Sequence, residues 1–88
     1  MIRKILKTSA EEGLQSKAAA LLVQVAGRFS SNIWIEMANK RVNAKSIMGV
    51  LSLKIRRGDA FAVSASGEDE AAAADAITRL IEKGEAGE

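Results

Sequence analysis

Apolar and polar positions along the chain change period several times, and each change marks an element. Residues 2–8 (Ile-Arg-Lys-Ile-Leu-Lys-Thr) read as a short first strand with imperfect alternation, and Glu11-Glu12-Gly13 reads as a loop. Over residues 16–26, Ala19, Leu22, Val23 and Ala26 fall on one helical face, and Gly27 stands where a helix C-cap belongs. Residues 32–37 alternate cleanly, with Ile33, Ile35 and Met37 on one side and Trp34 and Glu36 on the other. Ala38-Asn39 then makes a tight turn into a return strand over 40–44. Ser46 precedes about two turns of helix over 47–53 as its N-cap. Gly58-Asp59 turns the chain into a strand over 61–65, which alternates again, and Gly67-Glu68-Asp69-Glu70 opens a last helix to about Lys83. That helix turns Ile77, Leu80 and Ile81 inward, and its acidic start suits the positive end of the helix dipole. Residues 84–88 read as a frayed tail.

The order βαββαβα predicts one α+β domain over residues 1–88. Its architecture is an open-faced β-sandwich: a four-stranded, mainly antiparallel sheet with three helices on one face. No linker, low-complexity segment or solenoid-type repeat interrupts it. In 88 residues, folding buries roughly 60% of the surface an unfolded chain exposes, so the core has to be compact. With 48% hydrophobic and 27% charged residues, the chain has enough apolar surface to form one.

Composition removes several kinds of chemistry. There is no Cys and no His, hence no disulfide, no thiolate zinc cluster and no imidazole base. No segment approaches the ~20 apolar residues that cross a bilayer. The basic start lacks the apolar core and cleavage site of a signal peptide. A soluble, cytoplasmic protein is expected, with neither cofactor nor metal.

The net charge of +2 hides a division: residues 1–67 carry 11 basic and 4 acidic side chains, and residues 68–88 carry 2 and 7. One Trp, two Phe and no Tyr leave few rings for stacking on bases. The basic surface is therefore read as one that meets acidic proteins, with no direct nucleic-acid partner and no membrane partner.

Enzymatic candidates are thin. Glu11-Glu12 and Glu68-Asp69-Glu70 are neighbours on a loop and at a helix start, where carboxylates are usually solvated, and no Ser, Thr or Lys is spaced to make a nucleophile–base pair. Gly49, Gly58 and Gly67 are isolated rather than parts of a phosphate loop. The chain is read as not an enzyme, with no catalytic residue.

Ser46 has two readings. As an N-cap, its hydroxyl satisfies one orphan helix N–H. A helix N-terminus also tolerates a phosphate, and the adjacent Lys45 favours the added charge. With Val50 and Leu53 inward, Ile47, Met48 and Leu51 form an exposed apolar patch of the kind that receives partners; the competing reading buries all five.

The stretch Lys45-Ser46-Ile47-Met48-Gly49-Val50-Leu51-Ser52-Leu53 resembles the regulatory serine motif of HPr, the histidine-containing phosphocarrier family of the sugar phosphotransferase system. Gly13-Leu14-Gln15-Ser16-Lys17-Ala18-Ala19 resembles its active-site motif, Gly-hydrophobic-His-small-Arg-Pro-small, and Gly67-Glu68-Asp69-Glu70 matches as well. The resemblance spans essentially the whole chain. Where the family has its phosphorylated His, this chain has Gln15; Lys17 replaces the Arg and Ala18 the Pro. A carboxamide nitrogen is delocalised into its carbonyl and has no lone pair able to attack a phosphoryl donor. Lys17 is also a poorer bidentate clamp than Arg.

Gln at that position beside an intact serine motif is similar to the Crh (catabolite repression HPr-like) branch of the family. That resemblance implies phosphorylation of Ser46 by HPr kinase/phosphorylase. It further implies a corepressor role on catabolite control protein A, a LacI-type regulator of carbon catabolite repression. It implies a contact surface of Ile47, Met48 and Leu51, extended by Lys17, Ala20, Leu21 and Gln24, which share a helical face at i, i+3, i+4 and i+7. Metabolic enzymes are a further partner class, and the expected state is a monomer or weak homodimer. Two alternatives stand beside this reading. One is a constitutive HPr-fold binding module; the other is an inactive variant of a phosphocarrier.

Overall fold

Seven elements follow one another in the order the periodicity predicts: β1 (Ile2–Lys7), α1 (Ser16–Ala26), β2 (Asn32–Met37), β3 (Lys40–Asn43), α2 (Ile47–Ser52), β4 (Ala60–Ser66) and α3 (Glu70–Lys83). The computed structural model describes residues 1–8 and 13–83, so Glu11, Glu12 and the expected frayed tail at 84–88 lie outside the described residues. The strands form one sheet in the order β1-β4-β2-β3. All three pairings are antiparallel.

Register assigns the two faces. Ile2, Ala65 and Ile33 lie across from one another, as do Lys4, Val63 and Ile35; these positions face the helices. Ile33, Ile35, Val63 and Phe61 join Leu22, Val50, Ile55 and Ile77 in one buried cluster. The opposite face pairs Ile5 with Ala62 and Glu36, and Arg3 with Ser64 and Trp34. There Arg3 Nε lies 3.6 Å from Glu36, and the Arg41 guanidinium stacks 4.2 Å above the Trp34 ring. The turn between β2 and β3 places Ala38 at φ 56°.

Two patterns differ from expectation. The alternation read into 61–65 is absent, since all five residues are buried. β4 is an inner strand, and its outward residues Ala62 and Ser64 are small enough for the flanking Arg3, Ile5, Trp34 and Glu36 to cover. In α1 the buried set is Ala19, Leu22, Val25 and Ala26, with Val23 half-buried. α1 packs against both α2 and α3, so its buried arc is set by two neighbouring helices as well as the sheet.

β1 is an edge strand whose one fully buried side chain is Leu6, and Ile5 stays 59% exposed. This explains the imperfect alternation in the first strand: Lys4 occupies a helix-side position at the rim and Ile5 a position on the uncovered face.

Candidate functional site

The start of α1 is held from behind by the segment after α2. Leu14 is buried, and its N–H donates to the Ile55 carbonyl at 2.9 Å. Gly13 sits at φ +65°, and a Cβ there would lie 2.2 Å from the Ile55 carbonyl oxygen. Only a residue without a side chain fits so close to another backbone. The next residue but one, Gln15, is the N-cap of α1, with φ −118° and ψ 158°. Its side chain makes no capping bond, while its carbonyl accepts the Ala18 N–H at 3.1 Å. Gln15 is half-buried.

Along α1, Lys17, Ala20 and Gln24 are exposed, and Leu21 is half-buried against the core. On α2, Val50 is fully buried, whereas Met48 is 74% and Ile47 37% exposed; Leu51 is half-buried. The reading that buries all five apolar residues of this stretch is excluded. α1 and α2 pack side by side, which brings the two sets into one neighbourhood.

Ser46 caps α2. Its Oγ accepts the Gly49 N–H at 3.2 Å, and its carbonyl accepts the Val50 N–H at 3.0 Å. The residue is half-buried. The Lys45 ammonium donates to the Phe29 carbonyl at 2.7 Å, tying α2's entry to the loop after α1. At the other end of α2, the Lys40 ammonium donates to the Ser52 carbonyl at 3.2 Å, the sign of charge that a helix C-terminus favours.

Asp69 does something its sequence position did not announce. Only Glu70 of the acidic run stands in the first turn of α3. The Asp69 carboxylate instead accepts the Ser30 N–H and the Ser31 N–H, each at 2.9 Å, and the Ser31 hydroxyl. These donors, the Ser31 hydroxyl foremost, lower its pKa to about 2. Glu70 is also lowered, first by the Gly67 N–H and then by the Met1 amino group. Among the described residues no group of acidic side chains is arranged to hold a metal ion.

The comparisons with known proteins agree over nearly the full length. The family model PTS-HPr, described as "PTS HPr component phosphorylation site", matches residues 2–83. The chain is 46% identical over 83 residues to the HPr-like protein Crh of Halalkalibacterium halodurans, covering 94% of this chain and 99% of that one. Its structure is similar to that of HPr-C-His from Thermoanaerobacter tengcongensis, with TM-score 0.90 and 46% identity, covering 92% and 91% of the two chains. It is also similar to Bacillus subtilis Crh, described as an intertwined dimer formed by swapping, with TM-score 0.74, 40% identity and coverage of 92% and 93%.

Proposed function

The chain belongs to the HPr family of the phosphotransferase system, and we propose that within it the chain is a regulatory phosphoprotein of carbon catabolite repression switched at Ser46. The observation that carries this reading is the half-buried Ser46 at the start of α2, two residues from the 74%-exposed Met48, in a chain whose phosphocarrier position is Gln15. HPr kinase/phosphorylase would transfer the γ-phosphoryl group of ATP to Ser46 Oγ, with loss of the hydroxyl proton and release of ADP. The product gains a charge of about −1.5 to −2 and three strong acceptor oxygens at the positive end of α2. Arg or Lys side chains of catabolite control protein A would read the phosphate, while Ile47, Met48, Leu51 and Leu21 supply apolar contact and Lys17, Ala20 and Gln24 the rim. Phosphohistidine chemistry has no acceptor here, since the chain contains no His.

The expected partners put the protein in the cytoplasm, and among the described residues no helix is long and apolar enough to cross a membrane. Weak self-association through β1 is part of the proposal: this strand is an edge strand paired with β4 alone, and the Bacillus subtilis relative is described as a swapped dimer.

Calorimetric titration of purified catabolite control protein A tests the reading. Ser46-phosphorylated protein should bind, and unmodified protein, Ser46→Ala and phosphorylated Met48→Glu should bind at least about tenfold more weakly. Equal binding of the unmodified chain would favour a constitutive module instead.

A further inference from the structure

The sheet face turned away from the helices takes no part in the site around Ser46, yet it is not a plain solvated surface. By register it presents Arg3, Ile5 and Lys7 of β1 together with Trp34 and Glu36 of β2 and Arg41 of β3. Between them the inner strand β4 contributes only the small residues Ala60, Ala62 and Ser64. Ile5 is 59% exposed on this face.

A notch opens beside Ile5. β4 stays paired with β1 as far as Lys7–Ala60, but its pairing with β2 ends at Glu36–Ala62, because β2 follows β3 through Met37–Lys40 into their tight turn. Where the strands part there is a cavity of about 250 Å³ whose lining includes Arg3, Ile5, Glu36, Ala38, Ala60 and Phe61. Pockets for small molecules run from roughly 300 to 1,000 Å³, so this space suits one inserted side chain better than a whole ligand.

The charge around the notch is largely of one sign. Arg3, Lys7 and Arg41 are exposed, against the half-buried carboxylate of Glu36, which Arg3 already engages at 3.6 Å. Arg41 lies 4.2 Å above the Trp34 ring, so an aromatic–arginine pair of the kind enriched at interfaces is in place before any partner arrives. β1 and β2 flank β4, and a strand spacing of about 4.8 Å sets the Ile5 and Trp34 rows about 10 Å apart, the width of one α-helix.

We propose that this face docks an acidic amphipathic helix of another protein. One apolar side chain of that helix sits in the notch against Ile5 and Phe61, and its flanking carboxylates meet Arg3, Lys7 and Arg41. The face lies on the opposite side of the sheet from α1 and α2, so it works without phosphorylation and leaves Ser46 free for a second partner. Another copy of the chain fits poorly, since two such faces would set cations against cations. A nucleic acid also fits poorly, because Arg41 covers the Trp34 ring face on which a base would stack and Glu36 repels phosphate.

The chain has one Trp, so Trp34 fluorescence reports on this face alone. The test titrates the full unmodified chain, at low ionic strength, with a synthetic Leu/Glu amphipathic peptide about five turns long and free of Trp. Amide shifts of the isotopically labelled protein locate the contact. Trp34 emission should change saturably, and the amides of Ile5, Trp34 and Phe61 should shift. A scrambled peptide of the same composition should bind about fivefold or more weakly, as should Ile5→Ser and Arg3→Gln, whose exposed positions let both variants stay folded. Arg79→Gln removes the same charge from α3 and should bind within about twofold of the unaltered chain. The proposal is overturned by no saturable change in emission, by shifts confined to α1 and α2, or by undiminished binding of the scrambled peptide or of Ile5→Ser. Equal losses in Arg3→Gln and Arg79→Gln would also overturn it, as would tighter binding of a single-stranded oligodeoxynucleotide or of anionic lipid vesicles at the same amides. So would Trp34 emission that varies with protein concentration in the absence of peptide, which marks a second copy as the occupant.

Discussion

Ser46 Oγ accepts the Gly49 N–H at 3.2 Å, so the oxygen proposed to take the phosphoryl group is also the one that caps α2. Cap and switch are one atom. Ser46→Ala should therefore do two separable things: abolish phosphorylation and cost about 1 kcal/mol of stability, read as a lower urea midpoint at unchanged m-value. Ser46→Asp should retain most of that stability, because a carboxylate caps as well as a hydroxyl.

Gly13 leaves no room for a side chain. Gly13→Ala would put a Cβ 2.2 Å from the Ile55 carbonyl oxygen and 2.7 Å from Arg56 Cα at a φ of +65°, and both of these are backbone atoms. The expected cost is about 2 kcal/mol or more, since strain in the left-handed region adds to displacement of the segment around Ile55. Urea denaturation measures it, and amide shifts at Leu14 and Gln15 should move with it.

Lys54→Gly should act in the opposite direction, raising stability by about 1 kcal/mol through relief of φ 52° at a helix end. A thermal melt reads this directly. A fall in the melting temperature would mean that the Lys54 side chain contributes packing that its exposure does not suggest.

Acid should weaken the tie between α3 and the loop before β2. The Asp69 carboxyl titrates at about 2 in the folded protein against 3.8 ordinarily, so the unfolded chain takes up its proton first as pH falls. The stabilisation is fully present above pH ~4 and is lost as pH drops toward 2. Melting temperatures measured from pH 7 to pH 2 should decline over that window. Asp69→Asn should be less stable at pH 7 and should flatten the acid limb.

The carrier chemistry should resist simple repair. Gln15→His puts an imidazole at the N-cap of α1, yet Lys17 and Ala18 still stand where the family has Arg and Pro. Phosphoryl transfer from enzyme I to this variant should stay at least about tenfold below that of an ordinary HPr, because a point-charge lysine clamps the phosphate less well than a bidentate guanidinium. Full recovery would support the inactive-carrier alternative.

What the sequence made legible was local. The β2–β3 hairpin, the N-cap at Ser46 and the helical face of Lys17, Ala20, Leu21 and Gln24 all follow from spacing within a few residues. Val25 replaced Val23 in the core because the buried arc of α1 depends on α2 and α3, which periodicity within one helix does not contain. Ala62 and Ser64 were buried by strands distant in sequence. The Asp69 bonds to Ser30 and Ser31 span nearly forty positions, and the left-handed backbone at Lys54 had no glycine to announce it.

The most direct test of the central claim is the intact mass of the protein after incubation with ATP and HPr kinase/phosphorylase, measured beside Ser46→Ala. The account predicts a single phosphoryl addition on the unaltered chain and none on the variant. No addition to a folded chain, with the same kinase active on an ordinary HPr, would contradict it and leave Ser46 a helix cap alone.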